Sequence, residues 1–162
     1  VQSFEGQERL TPVVTDCHEI VTDSGGPGRF RGGLGYKVEL DWLKGEASLA
    51  LRRERHVFRP WGIHGGGEAP VCRTEMRGGD GSSRSLPAKM VLRIQSGETL
   101  RYWSTGGGGA FPAWQRDVEA VLDDVLDGRV TTEAAEAEYG VVIRDGRVDA
   151  DATSAQRARL AG

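Results

Sequence analysis

The sequence predicts an α+β fold: an antiparallel, β-rich body with long glycine-rich loops, followed by a C-terminal helical segment. Three observations lead there. Short runs of alternating apolar and polar residues fill the first two thirds of the chain. Its 24 glycines in 162 residues are about twice ordinary usage and cluster between those runs. Past Pro112 the apolar spacing changes to three and four, the period of a helix. The expected partition is a glycine-rich β domain over 1–110 and a helical segment over 111–162 packed on it.

The elements follow in order. From Leu10 to Thr22 β-branched residues dominate, and Asp23-Ser24-Gly25-Gly26 ends the run, so this reads as a strand closed by a turn. Tyr36, Val38, Leu40 and Trp42 alternate with Lys37, Glu39 and Asp41, which places the apolar set on one buried face. Ala47, Leu49 and Leu51 continue the pattern after Lys44-Gly45, and the spacing predicts a hairpin over 35–53. Lys89 to Gln95 and Glu98 to Ser104, joined by Ser96-Gly97, add two strands and bring the antiparallel set to at least five. Val118, Val121, Leu122, Val125 and Leu126, with Gly128 just beyond, predict an amphipathic helix over 113–127. A second helix opens at Thr131 or Thr132 and stops at Gly140. Val141 to Ile143 reads as a short strand turned by Asp145-Gly146, and Asp149 or Asp151 caps a terminal helix.

The glycine loops comprise Gly25, Gly26, Gly28, Gly32, Gly33 and Gly35, then Gly65, Gly66 and Gly67, then Gly106, Gly107, Gly108 and Gly109. Loops of that size in a compact domain have a purpose. A phosphate cradle is one candidate, but Gly26-Pro27-Gly28-Arg29-Phe30-Arg31-Gly32 fits neither nucleotide-binding spacing, and a strand follows instead of a helix. The favoured reading is scaffold: without side chains, backbone segments approach one another closely, either in left-handed turns or as packed polyproline-II-like stretches. On that reading Gly107→Val damages folding or assembly, by clash and lost backbone freedom, and does not selectively slow a chemical step.

Charge narrows the partners. Twenty-one basic against 24 acidic side chains leave a net charge of −3, which argues against nucleic acid or an anionic membrane surface as the main partner. No apolar run approaches the ~18 residues of a membrane span, and the N-terminus carries no signal-peptide pattern. Cys17 and Cys72 are expected as free thiols in a reducing cytoplasm. The soft metal ligands Cys17, His18, His56, His64 and Cys72 form no CxxC or HxxxH pair, so metal ligation is a weak reading; the candidates for it are Cys17, His18, His64 and Cys72. The run Arg52 to Arg59 is broken by Glu54 and is expected to face solvent or a partner's carboxylates.

Five pieces then carry a family signature in order. They are Asp23-Ser24-Gly25-Gly26-Pro27-Gly28-Arg29-Phe30-Arg31-Gly32-Gly33-Leu34-Gly35; Arg59-Pro60-Trp61-Gly62 with Gly65-Gly66-Gly67; Leu86-Pro87-Ala88-Lys89; Thr105-Gly106-Gly107-Gly108-Gly109; and Val118 to Val142. From about residue 10 onward the chain resembles the C-terminal part of the hydantoinase B/oxoprolinase family, whose members include N-methylhydantoinase, 5-oxoprolinase and the acetone and acetophenone carboxylases. The resemblance implies an ATP-dependent assembly in which an A-type subunit binds nucleotide and phosphorylates a carbonyl-type substrate, while the B-type part carries out the next step. Departure of a phosphate ester is far easier than that of the parent oxygen. It implies that the chain binds no cofactor itself, that ATP and a divalent metal sit elsewhere in the complex, and that the family's metal ligands fall upstream of residue 1. Its partners would be a larger B-type subunit or segment and the ATP-binding subunit, and alone the chain would be inactive. Ring opening and carboxylation stay open. Arg29, Arg31, Arg55 and His64, on or beside glycine loops, are the polar residues to test for catalysis, each with a loop-tethering alternative. The competing reading is a stand-alone binding or zinc-stabilised accessory domain.

Overall fold

A computed structural model describes residues 3–161. Compactness does not divide the chain at residue 110. One unit comprises residues 3–19, Tyr36–Phe58 and Val71–Ser104; the other comprises Ile20–Gly35, Arg59–Pro70 and residues 105–161, so the glycine loops belong with the C-terminal helices.

The first unit is a sandwich of antiparallel pairs. It opens with a short helix, α1 (Phe4–Leu10), which the sequence reading missed; Ser3 caps it by accepting from Gly6 N. The strands are β1 (Val13–Ile20), β2 (Tyr36–Trp42), β3 (Glu46–Arg52), β4 (Arg73–Arg77), β5 (Ser83–Ser85), β6 (Lys89–Gln95) and β7 (Thr99–Trp103). Five form one sheet in the order β1-β2-β7-β4-β5, and β3 pairs β6 in a second.

The hairpin expected over 35–53 does not form. β2 runs against β7, with Leu40 opposite Leu100, and β3 runs against β6, with Leu49 opposite Leu92. The stretches 36–52 and 89–103 are two arms of one ribbon that bends in the middle. Trp42 and Glu98, and Ser96 and Gly45, stay bonded across the bend (Trp42 N to Glu98 O 2.9 Å; Ser96 N to Gly45 O 3.0 Å). Gly45 and Gly97 absorb the change of direction at φ 74° and 86°. Lys44-Gly45 therefore turns the strand from one sheet into the other instead of folding it back. The core between the sheets is Leu51, Met76, Leu86, Ile94 and Leu100, supported by Leu40, Trp42, Leu49 and Leu92.

In the second unit the expected helix over 113–127 is shorter. One 3-10 turn covers Ala113–Gln115, Arg116 is extended, and α2 (Val118–Leu126) starts only after Asp117, whose carboxylate accepts from Ala120 N. Asp117 offers a better N-cap than any residue upstream, and this moves the start. Next come α3 (Thr132–Tyr139), capped by Thr131 and ended by left-handed Gly140, a two-residue hairpin of β8 (Ile143–Arg144) and β9 (Arg147–Val148), and α4 (Ala150–Ala161). Asp149 caps α4 by accepting from Ala152 N at 3.0 Å. Val121, Val130, Ala135, Tyr139, Val141 and Ile143 form the core of these helices. Among the described residues, no helix is long and apolar enough to cross a membrane.

Candidate functional site

The glycine segments of the second unit, around 24–35, 60–67 and 105–110, lie side by side and are joined through their backbones. Gly26 N donates to Gly107 O (2.8 Å), Gly109 N to Gly67 O (2.9 Å), Gly67 N to Pro27 O (2.7 Å) and Gly107 N to Gly33 O (2.9 Å). Among the predicted loop glycines only Gly65 has a positive φ, 86°. Left-handed turns therefore do not account for the others; close approach does. A methyl group at Gly26 would stand 2.7 Å from Gly109 N, one at Gly28 2.6 Å from Ala110 N, and one at Gly66 2.6 Å from Ala110 N. Each meets backbone, which has no rotamer to yield.

The rule has exceptions. A Cβ at Gly33 meets nothing within 4 Å, and at Gly107 the nearest atom is Gly33 N at 3.5 Å, ordinary contact. The clash expected of Gly107→Val does not arise from a β-carbon there.

A buried carboxylate ties this bundle to α2. Asp124, 3% exposed, accepts from Arg31 Nε (3.0 Å) and Nη2 (3.1 Å) in a two-pronged pair and from Arg116 Nη2 (2.9 Å), with Arg129 Nη1 at 3.6 Å. Burial alone would raise its pKa; the Arg31 and Arg116 guanidinium groups outweigh that and hold it below the ordinary aspartate value. Arg31 also donates to Gly32 O (3.0 Å), Arg116 to Arg29 O (3.2 Å), and Arg157 to Arg116 O (2.6 Å) and Tyr139 O (3.3 Å). Burial pushes the Tyr139 hydroxyl up to about 12, so it stays protonated through the physiological range. Beside this hub lies a recess of about 230 Å³, lined by Arg31, Arg59, Arg129, Glu68, Glu138 and Tyr139 among others.

The sequence-predicted residues are not drawn to one point. Arg31 sits in the hub, its donors directed to Asp124 and Gly32 O. Arg29 is exposed, its guanidinium 5.6 Å from the centre of the Phe30 ring. His64 is exposed and stacks on Phe111 at 5.1 Å between ring centres. Arg55 belongs to the sandwich unit, where its carbonyl accepts from Cys72 N at 2.8 Å. Among the described residues, Cys17 and Cys72 form no disulfide; Cys72 is buried and Cys17 partly so. Burial pushes the Cys17 thiol up, against the pull of Lys37. His18 packs edge-on against Phe4 (4.7 Å) and Tyr36 (5.5 Å). Among the described residues, no three His, Cys, Asp or Glu side chains gather as a metal site. Sequence reasoning missed Asp124, Arg116, Arg129 and Tyr139. The available signal was an aspartate three residues after Val121 and one before Val125, on the apolar stripe of α2.

Fold and site together define a glycine-scaffolded α+β module whose loops are packed main chain against main chain. The chain belongs to the hydantoinase B/oxoprolinase family, whose profile matches residues 1–111. It is 36% identical over 152 residues to the caprolactamase subunit beta of Pseudomonas jessenii, covering 91% of this chain and 26% of that one. It is 27% identical to the acetone carboxylase alpha subunit of Xanthobacter autotrophicus, over 94% and 25% of the two. Among solved structures, the ATP-dependent caprolactamase from Pseudomonas jessenii superposes with a TM-score of 0.84 at 31% identity, over 96% of this chain and 28% of that one. A nucleotide-free acetone carboxylase superposes at 0.86 and 22% identity, over 99% and 26%, a likeness of fold. The chain thus spans about a quarter of the length of each of these relatives.

Proposed function

We propose that this chain is the C-terminal structural and interface module of an ATP-dependent assembly of the hydantoinase B/oxoprolinase type, which hydrolyses a cyclic amide or carboxylates a ketone through a phosphorylated intermediate. The observation that carries the reading is the backbone-packed glycine bundle, clamped to α2 by the Arg31–Asp124 pair. It is side-chain-poor and joined by backbone hydrogen bonds, suited to holding a surface in place. The names of the relatives, an ATP-dependent caprolactamase and an acetone carboxylase, support both reaction types.

Within the assembly this chain's residues hold shape. Arg31, Arg116 and Arg129 direct guanidinium groups at Asp124, which keeps the segment 24–35 registered on the helices. Among the described residues no three His, Cys, Asp or Glu side chains come together, so no step is assigned to metal here. ATP and metal belong, on this reading, to a larger B-type part and an A-type subunit in the cytoplasm.

The test is co-expression with an ATP-binding subunit and a full-length B-type partner, followed by mass measurement of the complex and assay of ATP-dependent amide hydrolysis and ketone carboxylation. A defined complex containing this chain, active only when all parts are present, is the expected result. A monodisperse chain that ignores both partners and carries stoichiometric zinc would establish the accessory-domain reading instead.

A further inference from the structure

The tips of the three glycine segments meet in an exposed aromatic crest. Phe30 is 58% exposed, Ile63 53% and Phe111 40%. Phe111 touches both neighbours, edge-on to Phe30 at 6.1 Å and stacked with His64 at 5.1 Å. Apolar rings left in water normally collapse or move; these are fixed from beneath. Phe30 and Ala110 exchange main-chain hydrogen bonds (3.0 and 2.9 Å), Phe111 N donates to Ile63 O (3.0 Å), Ile63 N to Gly109 O (2.9 Å) and Arg29 N to Phe111 O (3.1 Å).

Two crest residues also adopt a backbone that non-glycine residues avoid: His64 at φ 51° and Phe111 at φ 62°. Such strain persists only where surrounding structure enforces it, and it concentrates at functional surfaces. At the rim, Arg29 leans over the Phe30 ring, and among the described residues no carboxylate lies within ion-pair distance of it. Among the described residues, the shallow recess beside it is lined by Arg29, Trp114, Gln115, Arg157, Ala158 and Ala161, two of them cations, with the Asp117 carboxylate acting on Arg157.

We propose that this crest is a docking surface on which a partner subunit of the assembly seats an apolar segment flanked by a carboxylate, which pairs with Arg29. The inference rests on the assembly reading above and adds where the contact is made and with what chemistry. The Arg29 charge at the rim, with no carboxylate of the described residues at ion-pair distance, selects an acidic partner segment, while exposed rings set on a fixed backbone dock at small ordering cost. Aromatic and arginine anchors of this kind dominate binding where they occur.

The test measures affinity between this chain and the purified B-type and ATP-binding subunits, titrated separately. Phe111→Gly removes the ring and suits the left-handed backbone, so its thermal unfolding should match or exceed that of the wild type. Its affinity for one of the two subunits should nevertheless fall by about 30-fold. Arg29→Glu should weaken the same interaction by a similar factor, and changing an acidic residue to lysine on the docked segment should restore it. If the wild type assembles and both variants bind within about threefold of it, the crest is not the docking surface, while the assembly reading stands. If the wild type binds neither subunit, the assembly reading falls first and takes this one with it. Self-association abolished by Phe111→Gly, with partner affinity unchanged, would assign the crest to a second copy and overturn the proposal.

Discussion

In the sandwich unit, Met76, Ile94 and Leu100 fill the space between two sheets; in the glycine unit, the space between segments 24–35, 60–67 and 105–110 is filled by main chain. The first is held by dispersion and burial among branched side chains, which can be trimmed or swapped at a graded cost. The second is held by hydrogen bonds between segments that touch because nothing projects from them. A large side chain is an asset in one unit and an obstruction in the other.

The largest break in that contrast should come from Gly26→Val. Its β-carbon would meet Gly109 N at 2.7 Å and Gly108 Cα at 2.9 Å. We expect a loss above about 4 kcal/mol, the range in which single substitutions become exceptional, or outright loss of folding in urea titrations. Gly33→Ala and Gly107→Ala, which have room, should stay within about 1 kcal/mol of the wild type. If all three behaved alike, the backbone-packing account would fail.

Next in size are Asp124→Asn and Met76→Ala. Removing the charge of Asp124 leaves Arg31 and Arg116, with side chains 14% and 17% exposed, facing one another without a counter-ion, at about 3–5 kcal/mol. Truncating Met76, 1% exposed, should cost about 2–5 kcal/mol. Amide exchange separates the two: Asp124→Asn should speed exchange at Gly26 and Gly32, and Met76→Ala in β4 and β7. Exchange spread evenly over both units in either variant would remove the distinction.

Smallest is the response to acid. Burial first, then the neighbouring Arg53, holds the His56 imidazole in the sandwich below its ordinary value of 6.5. The unfolded chain therefore takes up that proton at higher pH than the folded one, so the stability linked to a neutral His56 is complete above about pH 6.5 and declines as pH falls. Asp124 is shifted downward instead, so its contribution survives until pH drops below the ordinary aspartate range, about 3.9. Between these values the sandwich should soften while the glycine unit holds, as read by separate fluorescence or exchange probes. His56→Gln should abolish the difference.

Legibility followed the kind of signal each unit uses. Strand existence was plain from the alternation through Tyr36, Val38, Leu40 and Trp42, and β6 was expected over the span it occupies. Pairing was not, since Gly45 can close a hairpin or bend a ribbon, and only the distant arm 89–103 decides between them. β4 and β5 escaped because Arg73, Glu75 and Arg77 leave little apolar alternation to read. Asp117 made the predicted helix begin late because a cap competes locally with periodicity. The scaffold role of the glycines was legible from composition, but which of them are crowded was not: Gly107 and Gly108 are adjacent, yet only Gly108 presses on another segment, at Gly62 N. Asp124 and its arginines join positions up to 93 residues apart in sequence, a separation no local pattern encodes.

The crowded glycines also set what repair is open to the protein. A damaged side-chain core can be rescued elsewhere, by shrinking one neighbour to admit another. A β-carbon facing a peptide carbonyl has no such suppressor, because every residue at the opposing site carries the same carbonyl. Selection for revertants of Gly26→Val should therefore return glycine at that codon, whereas revertants of a sandwich variant should appear at second sites.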